Sequence, residues 1–288
     1  MTKITFIGMG EAGGLLAEGL IGAGADVRAT YDILIHNDAK RAAFLAKTQK
    51  IGLSAAESAK DAVAGADVVI AAVVSDQMVI AAKNVAPHLK AGQYYLDINS
   101  ASPRMKREAA ELIEANGAFF VESAVMDLVP PHGYKVPMLL AGNKAADLQA
   151  ILAPFGMNVR AVGTKIGSAS AIKMSRSVFM KGFTAILIEC LMAASTLDAE
   201  EEVLSSLQVS FPEMDWRKIA NYYAPRLVKH SRRQAAEMHE VAETLEELGI
   251  EPMTALSTAD RLQWLADLNI EPEPKTYGEL LKAIAAKG

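Results

Sequence analysis

Cysteine and net positive charge are both scarce in this sequence. Cys190 is the single cysteine of the 288 residues, which excludes an internal disulfide framework and favours a reducing compartment. The 29 lysines and arginines are outnumbered by 34 acidic residues, and the formal net charge of −5 gives no basic footprint for nucleic acid. No uninterrupted apolar run approaches the ~18 residues of a membrane span, and no signal peptide precedes the first strand. We therefore expect a cytoplasmic protein without nucleic-acid or membrane partners.

Apolar residues, by contrast, are plentiful. They make up 51% of the chain against 22% charged residues, a balance typical of a soluble globular protein, and a chain of this length is expected to hold two domains. Strand-like and helix-like segments alternate up to about residue 163, and helix-like segments alone follow it. The predicted fold is therefore α/β: a doubly wound parallel sheet in residues 1–164, joined by a long helix to an all-α domain in residues 165–288.

A glycine-rich turn follows the first predicted strand, residues 3–8. In it Gly8 permits the tight turn, Gly10 lets the backbone approach a pyrophosphate, and Gly13 lets the next helix pack close to the strand. Strand, G-x-G-x-x-G and helix in succession predict the dinucleotide-binding turn of a Rossmann domain. Glu11 places a carboxylate inside this turn, and we expect it to point away from the phosphates.

An aspartate ends the second predicted strand, residues 26–31. Asp32 lies nineteen residues after Gly13, close to the ~20 expected for the acid that binds the adenosine ribose hydroxyls. This spacing favours NAD, because a 2′-phosphate would meet a like charge. Lys40 and Arg41 follow closely, so NADP stays open as the alternative.

Further βα units follow. Strands are predicted at 66–75, 94–99, 118–123 and 135–142, and helices at 14–24, 55–64, 77–89 and 103–116. Ligands of a doubly wound sheet bind at the carboxyl ends of its strands. We therefore expect the loops after residues 8, 32, 74, 98 and 123 to share one crevice. The predicted cofactor-binding residues are Gly8, Met9, Gly10, Glu11, Ala12, Gly13, Tyr31, Asp32, Val74, Ser75 and Asn99.

Two of these loops carry groups that suit a substrate. Residues 97–103 place small hydroxyl side chains beyond a strand, which suits a hydrogen-bonding cradle; the alternative is simple helix capping by Ser102. Residues 125–133 form a proline-rich loop with His132 near its end, and the alternative there is a solvated histidine.

A helix of about thirty residues is predicted after Gly163, since the segment to Ala194 has no proline and one interior glycine. Lys173, Ser177 and Lys181 recur every four residues and lie on one stripe of it. The later helices are predicted at 198–209, 214–224, 226–248, 253–267 and 277–286, with a break at Pro225. Arg233 lies on one of them, either on a solvated face or as an arm that reaches an acidic substrate.

These motifs together resemble the β-hydroxyacid dehydrogenases, relatives of 6-phosphogluconate dehydrogenase, in a branch with its own helical C-terminal domain. The family's D-x-S-T substrate loop corresponds to the loop that begins at Asp97, and its catalytic K-x-x-N-N motif corresponds to Lys173 and the residues after it. Arg176 and Ser177 stand where the family has two asparagines. A guanidinium can bind a carboxylate or phosphate bidentately, so Arg176 is expected to supply the contact to an acidic substrate.

The resemblance implies an NAD(P)-dependent oxidoreductase, with NAD favoured, that interconverts a small 3-hydroxy acid or hydroxy amino acid and its oxo form. It also implies that the protein is a homodimer. Lys173 would be the general acid/base. A lysine base at neutral pH needs its pKa lowered from ~10.4 towards 7–8, which burial and a neighbouring cation favour. The predicted substrate-binding residues are Ser100, Ala101, His132, Arg176, Ser177, Lys181 and Arg233, and no metal site is predicted. An imine reductase of the same architecture and a dinucleotide-sensing protein without turnover are the alternatives.

Overall fold

The computed structural model describes residues 2–287. The chain divides into two compact units, Met1–Lys173 and Met174–Gly288. The predicted domain boundary after residue 164 precedes this division by nine residues and stays a prediction.

An eight-stranded sheet forms the centre of the first unit, in the order β3-β2-β1-β4-β5-β6-β7-β8. Its strands are β1 (Lys3–Ile7), β2 (Asp26–Tyr31), β3 (Ser54–Ala55), β4 (Val68–Ala71), β5 (Tyr94–Asp97), β6 (Phe119–Val125), β7 (Met138–Ala141) and β8 (Val159–Gly163). All neighbours pair in parallel except β6 and β7, which are antiparallel. The connection from β6 to β7 contains one four-residue helix and a further short turn, too little for the crossover that a parallel pair needs.

Twelve α-helices are described, besides short 3-10 turns. They are α1 (Glu11–Gly22), α2 (Asp38–Ile51), α3 (Ala59–Val63), α4 (Met78–Val85), α5 (Pro103–Glu114), α6 (Val129–His132), α7 (Ala145–Leu152), α8 (Ser168–Ser195), α9 (Glu200–Ser210), α10 (Trp216–Glu247), α11 (Met253–Asp267) and α12 (Tyr277–Ala285). The α/β prediction with an all-helical second part is confirmed. Missing from the sequence prediction were α2, the short α6 within the predicted proline-rich loop, α7 and the edge strands β3 and β8.

Both faces of the sheet are buried at its centre. Along β4, Val68 and Ile70 belong to one hydrophobic cluster, and Val69 and Ala71 to another. Successive strand residues point to opposite faces, so a strand that is apolar throughout requires a covering layer on each side. This burial is why the parallel strands were readable from the sequence as continuous apolar runs.

Helix α8 is the longest apolar element of the chain. Among the described residues it is the one helix long and apolar enough to cross a membrane by length and composition. No uninterrupted apolar run marks this helix in the sequence, because polar side chains are interspersed along it. Leu187, Ile188 and Leu191 of α8 belong to the hydrophobic core of the second unit, as expected of a core helix in a soluble protein. The absence of a membrane partner stays a prediction.

In the second unit, α10 runs unbroken through Pro225, so the predicted break between residues 224 and 226 is wrong. A proline inside a helix removes one backbone donor. The buried stripe of Ala220, Ala224 and Leu227 spans that position, and packing on both sides of Pro225 holds the helix together.

Tyr277, near the start of α12, donates a hydrogen bond from its hydroxyl to the Glu201 carboxylate at 2.6 Å. Burial, together with this contact, raises the pKa of Tyr277 to about 12.

Candidate functional site

A cavity of about 880 Å³ lies at the carboxyl ends of the sheet strands, lined entirely by residues of the first unit. It collects residues from the loops after β1, β2, β4, β5 and β6, as expected for a doubly wound sheet. The predicted site residues that line it are Gly8, Gly10, Glu11, Ala12, Tyr31, Asp32, Val74, Ser75, Asn99, Ser100 and Lys173.

The three glycines of the turn after β1 have different surroundings. Gly8 has φ +92°, and a Cβ there would lie 2.3 Å from the Ala72 carbonyl oxygen. A Cβ at Gly13 would lie 2.4 Å from the Gly8 carbonyl oxygen, whereas one at Gly10 would meet nothing within 4 Å. Gly8 and Gly13 therefore allow chain segments to approach each other, and Gly10 leaves space towards the cavity. Among the described residues the amides of Gly10, Glu11 and Ala12 have no acceptor, so α1 presents free donors where a phosphate could bind.

Asp32 joins the turn after β1 to the end of β2. One carboxylate oxygen accepts from the Met9 amide at 2.8 Å, and the other accepts from the Leu34 amide at 3.0 Å. The second bond caps the short helical turn that follows β2. These contacts fix the carboxylate at the cavity wall, the position from which an acid reaches a ribose in this fold.

The loop after β5 is tied to the loop after β4. The carboxamide oxygen of Asn99 accepts from the Val73 amide at 2.6 Å, and the Ser75 hydroxyl donates to the Ser100 carbonyl. The Asn99 Nδ2 atom is buried without a hydrogen-bond partner in the described part of the chain. Because Asn99 lines the cavity, this donor can serve a bound molecule. Helix capping occurs as well, since the Ser102 hydroxyl accepts from the Met105 amide at 3.4 Å.

Lys106 supports the site from outside the cavity, and sequence reasoning missed it. It is fully buried on the first turn of α5, where its ammonium donates to Asp97 Oδ1 at 2.9 Å and to the Asn99 carbonyl at 2.7 Å. Asp97 is also fully buried and accepts the Asn99 amide at 2.8 Å. A buried ion pair therefore holds the loop that presents Asn99 and Ser100. The signal was present in the sequence: Lys106 shares one helical stripe with Ala109, Ala110 and Ile113.

Lys173 donates a hydrogen bond from its ammonium to the Ser100 hydroxyl. The two side chains come from α8 and from the loop after β5, and both line the cavity. The structure thus brings together the predicted catalytic residue and a predicted substrate residue that lie 73 positions apart in the chain.

Glu122, the second missed residue, anchors the start of α8. It is fully buried in β6; one oxygen accepts the amides of Gly167 and Ala169, at 2.7 and 2.9 Å, and the other accepts the Ser170 hydroxyl at 2.8 Å. A carboxylate at a helix N-terminus satisfies orphan amides and interacts favourably with the helix dipole. Glu122 therefore fixes the turn that immediately precedes Lys173.

Four predicted site residues of the first unit do not line the cavity. Met9 and Ala101 are buried, at 2% and 1% exposure, and Gly13 packs behind the turn. His132 is part-exposed, and its Nε2 lies 3.0 Å from a carboxylate oxygen of Asp127, which does line the cavity.

The remaining predicted substrate residues belong to the second unit, where three of them cluster around Glu237. The Lys181 ammonium lies 3.0 Å from Glu237 and 3.2 Å from the Ser177 hydroxyl, and Arg233 pairs with the other oxygen of Glu237. Arg176 is exposed. Within residues 2–287, no group of three histidine, cysteine or acidic side chains forms a candidate metal site.

Two family models match the chain. The NAD binding domain of 6-phosphogluconate dehydrogenase matches residues 3–162, and a domain of unknown function, DUF1932, matches residues 194–265. A nicotinamide dinucleotide is therefore the cofactor class that the first unit is built to bind.

Two solved structures share both fold and appreciable sequence. A conserved hypothetical protein from Sinorhizobium meliloti is 36% identical, with a TM-score of 0.89 over 100% of this chain and 97% of that one. The conserved protein MTH1747, described as being of unknown function and structurally similar to 3-hydroxyacid dehydrogenases, is 31% identical, with a TM-score of 0.77 over 91% of this chain and 97% of that one.

More distant structures show the fold alone. The 3-hydroxyisobutyrate dehydrogenase of Mycobacterium tuberculosis, solved with L-serine, is 18% identical, with a TM-score of 0.78 over 99% of each chain. An imine reductase from Bacillus cereus is also 18% identical, with a TM-score of 0.59 over the whole of both chains. The fold is thus shared by hydroxyacid dehydrogenases and imine reductases.

Proposed function

The chain belongs to the family defined by the NAD-binding domain of 6-phosphogluconate dehydrogenase, and from that membership we propose that it is an NAD(P)-dependent oxidoreductase with Lys173 as its general acid/base. Its substrate is a small 3-hydroxy acid or hydroxy amino acid, which it interconverts with the corresponding oxo compound. The observation that carries the proposal is the hydrogen bond from the Lys173 ammonium to Ser100 at the wall of the cavity that contains the dinucleotide turn.

The chain's own groups fit a nicotinamide dinucleotide. The unpartnered amides at the start of α1 suit its pyrophosphate, and the Asp32 carboxylate suits its ribose hydroxyls. The buried Asn99 Nδ2 is a further donor that the described residues leave unused. When bound, the nicotinamide supplies the site that accepts or donates hydride.

Proton transfer is the part of the reaction that the protein itself must perform. During oxidation Lys173 takes the proton of the substrate hydroxyl, and during reduction it returns that proton to the developing alkoxide. Ser100 holds the Lys173 nitrogen at the cavity wall through its hydroxyl. A positioned acid/base of this kind contributes typically 10²–10⁴-fold to a rate.

NAD is favoured over NADP in this proposal. Beyond Asp32 the chain continues with the apolar Ile33 and Leu34, both of which line the cavity. Arg41, a cation that could neutralise a 2′-phosphate, instead pairs with Glu57 at 2.8 Å and donates to the Ile35 carbonyl at 2.6 Å. Lys40 also lines the cavity and could serve a 2′-phosphate. Titration with NADH and with NADPH separates the two.

The central test is Lys173→Ala, with the exposed Lys165→Ala as the matched control. A panel of small 3-hydroxy acids and hydroxy amino acids is assayed with both nucleotides to find the substrate. We expect Lys173→Ala to lower kcat by ~100-fold or more while the NADH Kd stays near the wild-type value, because the lysine acts on the substrate proton. Unchanged turnover in this variant would refute the assignment.

The same panel separates the alternatives. Reduction of cyclic imines without turnover of hydroxy acids would make the protein an imine reductase. Tight NADH binding without turnover of any compound would make it a dinucleotide sensor. Contacts of the substrate with Ser100, Ala101, His132, Arg176, Ser177, Lys181 and Arg233, and a cytoplasmic location, remain part of the proposal.

A further inference from the structure

Lys47 of α2 makes an unusual contact with the dinucleotide turn. Its ammonium donates to the carbonyl oxygens of both Met9 and Gly10, each at 2.7 Å. Lys47 does not line the cavity, so the ammonium approaches the turn from outside it. Two consecutive carbonyls of the turn are thereby held by one cation.

The orientation of two amides follows from this contact. A trans peptide unit is planar, and its N–H points opposite to its C=O. When the carbonyls of Met9 and Gly10 point towards Lys47, the amides of Gly10 and Glu11 point away from it. These two amides are among the donors that have no acceptor in the described part of the chain. Lys47 thus fixes the direction in which the turn presents its donors.

The positive charge of Lys47 also offsets part of the negative charge of Glu11. Glu11 lies in the first turn of α1 and is among the residues that line the cavity, so its negative charge opposes the binding of an anion at this turn. A cation on the carbonyls of the adjacent residues raises the potential at the same turn. The charge-assisted bonds to carbonyls are stronger than neutral ones, so the ammonium stays at the turn.

The absence of a side chain at Gly14 leaves room for the end of the Lys47 side chain. A Cβ at Gly14 would lie 2.8 Å from the Lys47 Cε and 2.9 Å from its Nζ. Those atoms form the far end of a flexible side chain, so an alanine here displaces the ammonium rather than the backbone. Gly14 immediately follows the G-x-G-x-x-G motif and has a negative φ, so backbone conformation alone does not require glycine at this position.

We infer that Lys47 is a positioning residue for the cofactor pyrophosphate, and that Gly14 is a glycine because Lys47 must pass it. The inference rests on the proposed function to the extent that the turn binds a dinucleotide. It requires no knowledge of the substrate.

The test is fluorescence titration of the full chain with NADH, for the wild type, Lys47→Met, Gly14→Ala and the double variant. Lys50→Met, at an exposed position of the same helix, is the control. We expect Lys47→Met and Gly14→Ala each to raise the Kd about tenfold, equivalent to ~1.4 kcal/mol, and Lys50→Met to leave it unchanged. The Kd of Lys47→Met should also depend less on salt, because one positive charge is lost near the anion.

The double variant distinguishes positioning from general stabilisation. If Gly14→Ala acts by displacing Lys47, it has no further effect on the Kd in the Lys47→Met background. In the Lys47→Met background, where no ammonium is left to displace, Gly14→Ala should not lower the thermal midpoint, because alanine is the better helix former. Equal effects of Gly14→Ala in both backgrounds, or a wild-type Kd in Lys47→Met, would overturn the inference. A wild-type protein that binds neither NADH nor NADPH would overturn the proposed function, and the inference about Lys47 would fall for that reason and not because of the variants.

Discussion

Lys106 and Asp97 show how a single buried pair can shape a site. Replacing a buried ion pair by apolar residues is often neutral for stability, so stability alone does not explain why this pair is present. Both side chains are fully buried, and between them they hold the amide and the carbonyl of Asn99. Their effect is therefore expected on the orientation of Asn99 and Ser100.

Variants of the pair separate stability from orientation. Lys106→Met leaves the Asp97 carboxylate buried without its cation, and we expect a loss of ~3–5 kcal/mol of unfolding free energy. Adding Asp97→Asn removes that charge and should recover most of the loss. Turnover of the double variant should nevertheless remain at least tenfold below wild type, because Asn99 and Ser100 are no longer held. Chemical denaturation and steady-state kinetics measure the two effects, and a double variant with both properties restored would contradict this role.

Residues could be predicted from the sequence when their role depends on neighbours close in the chain, and not when it depends on distant partners. The sequence indicated Asp32 and the glycines of the turn because their motif depends on short spacings within one βα unit. Lys106 and Glu122 were missed because a charged residue in a helix or strand is usually solvated. Their burial depends on partners from other elements, and pairs such as Glu122 with Ala169 are 47 positions apart.

At the scale of elements, the start of α8 depends on β6. Glu122 accepts two backbone amides and the Ser170 hydroxyl, and Lys173 follows Ser170 by less than one turn. An anchored first turn limits fraying, which otherwise affects the end of any helix. Strand β6 therefore controls the precision with which Lys173 meets Ser100.

Glu122→Gln tests this anchor. Glutamine keeps the size of the side chain but loses the charge and one acceptor oxygen, so we expect a loss of ~1–3 kcal/mol of stability. We also expect kcat to fall about tenfold while the NADH Kd is unchanged, because α8 and not the dinucleotide turn is loosened. Glu108→Gln, at an exposed position of α5, is the control. Loss of stability without any change in kcat would limit Glu122 to a structural role.

Two of the elements that the sequence did not reveal, α2 and β8, lack a periodic apolar signal. Helix α2 buries only Phe44 and Thr48, so its fourteen residues show no apolar stripe. Strand β8 lies at the edge of the sheet, and Val159 is its one buried residue. Pro225 led to a wrong prediction for the opposite reason. Proline is a strong local signal for a helix break, but packing along α10 keeps the helix continuous.

For the whole molecule, the homodimer remains a prediction, supported by exposed apolar side chains on the second unit. Phe179 and Ile186 of α8 are 71% and 66% exposed. Ile186 also lines a groove of about 520 Å³ to which both α8 and α11 contribute. Exposed large apolar side chains beside a groove are typical of a protein–protein interface.

Ile186→Glu tests this surface. A carboxylate in a dry interface is costly to bury, so we expect the variant to shift a dimer to monomers in light scattering after size exclusion. Leu248→Glu replaces an apolar side chain that is 56% exposed at the end of α10 and serves as the control. A wild-type protein that is monomeric at micromolar concentration would contradict the predicted homodimer. An Ile186→Glu variant that stays dimeric would show that the interface does not include this surface.

The border between the two units falls inside α8, directly after Lys173. A truncated chain that stops there would keep every residue lining the cavity, yet its last helix would have fewer than two turns. Helical segments that short are unstable in water, because nucleation costs more than so few bonds return. The position of the Lys173 ammonium therefore depends on residues outside the unit that contains it. We expect a chain cut after Lys173 to keep the glycine-rich turn after β1 intact while the helical segment that carries Lys173 frays.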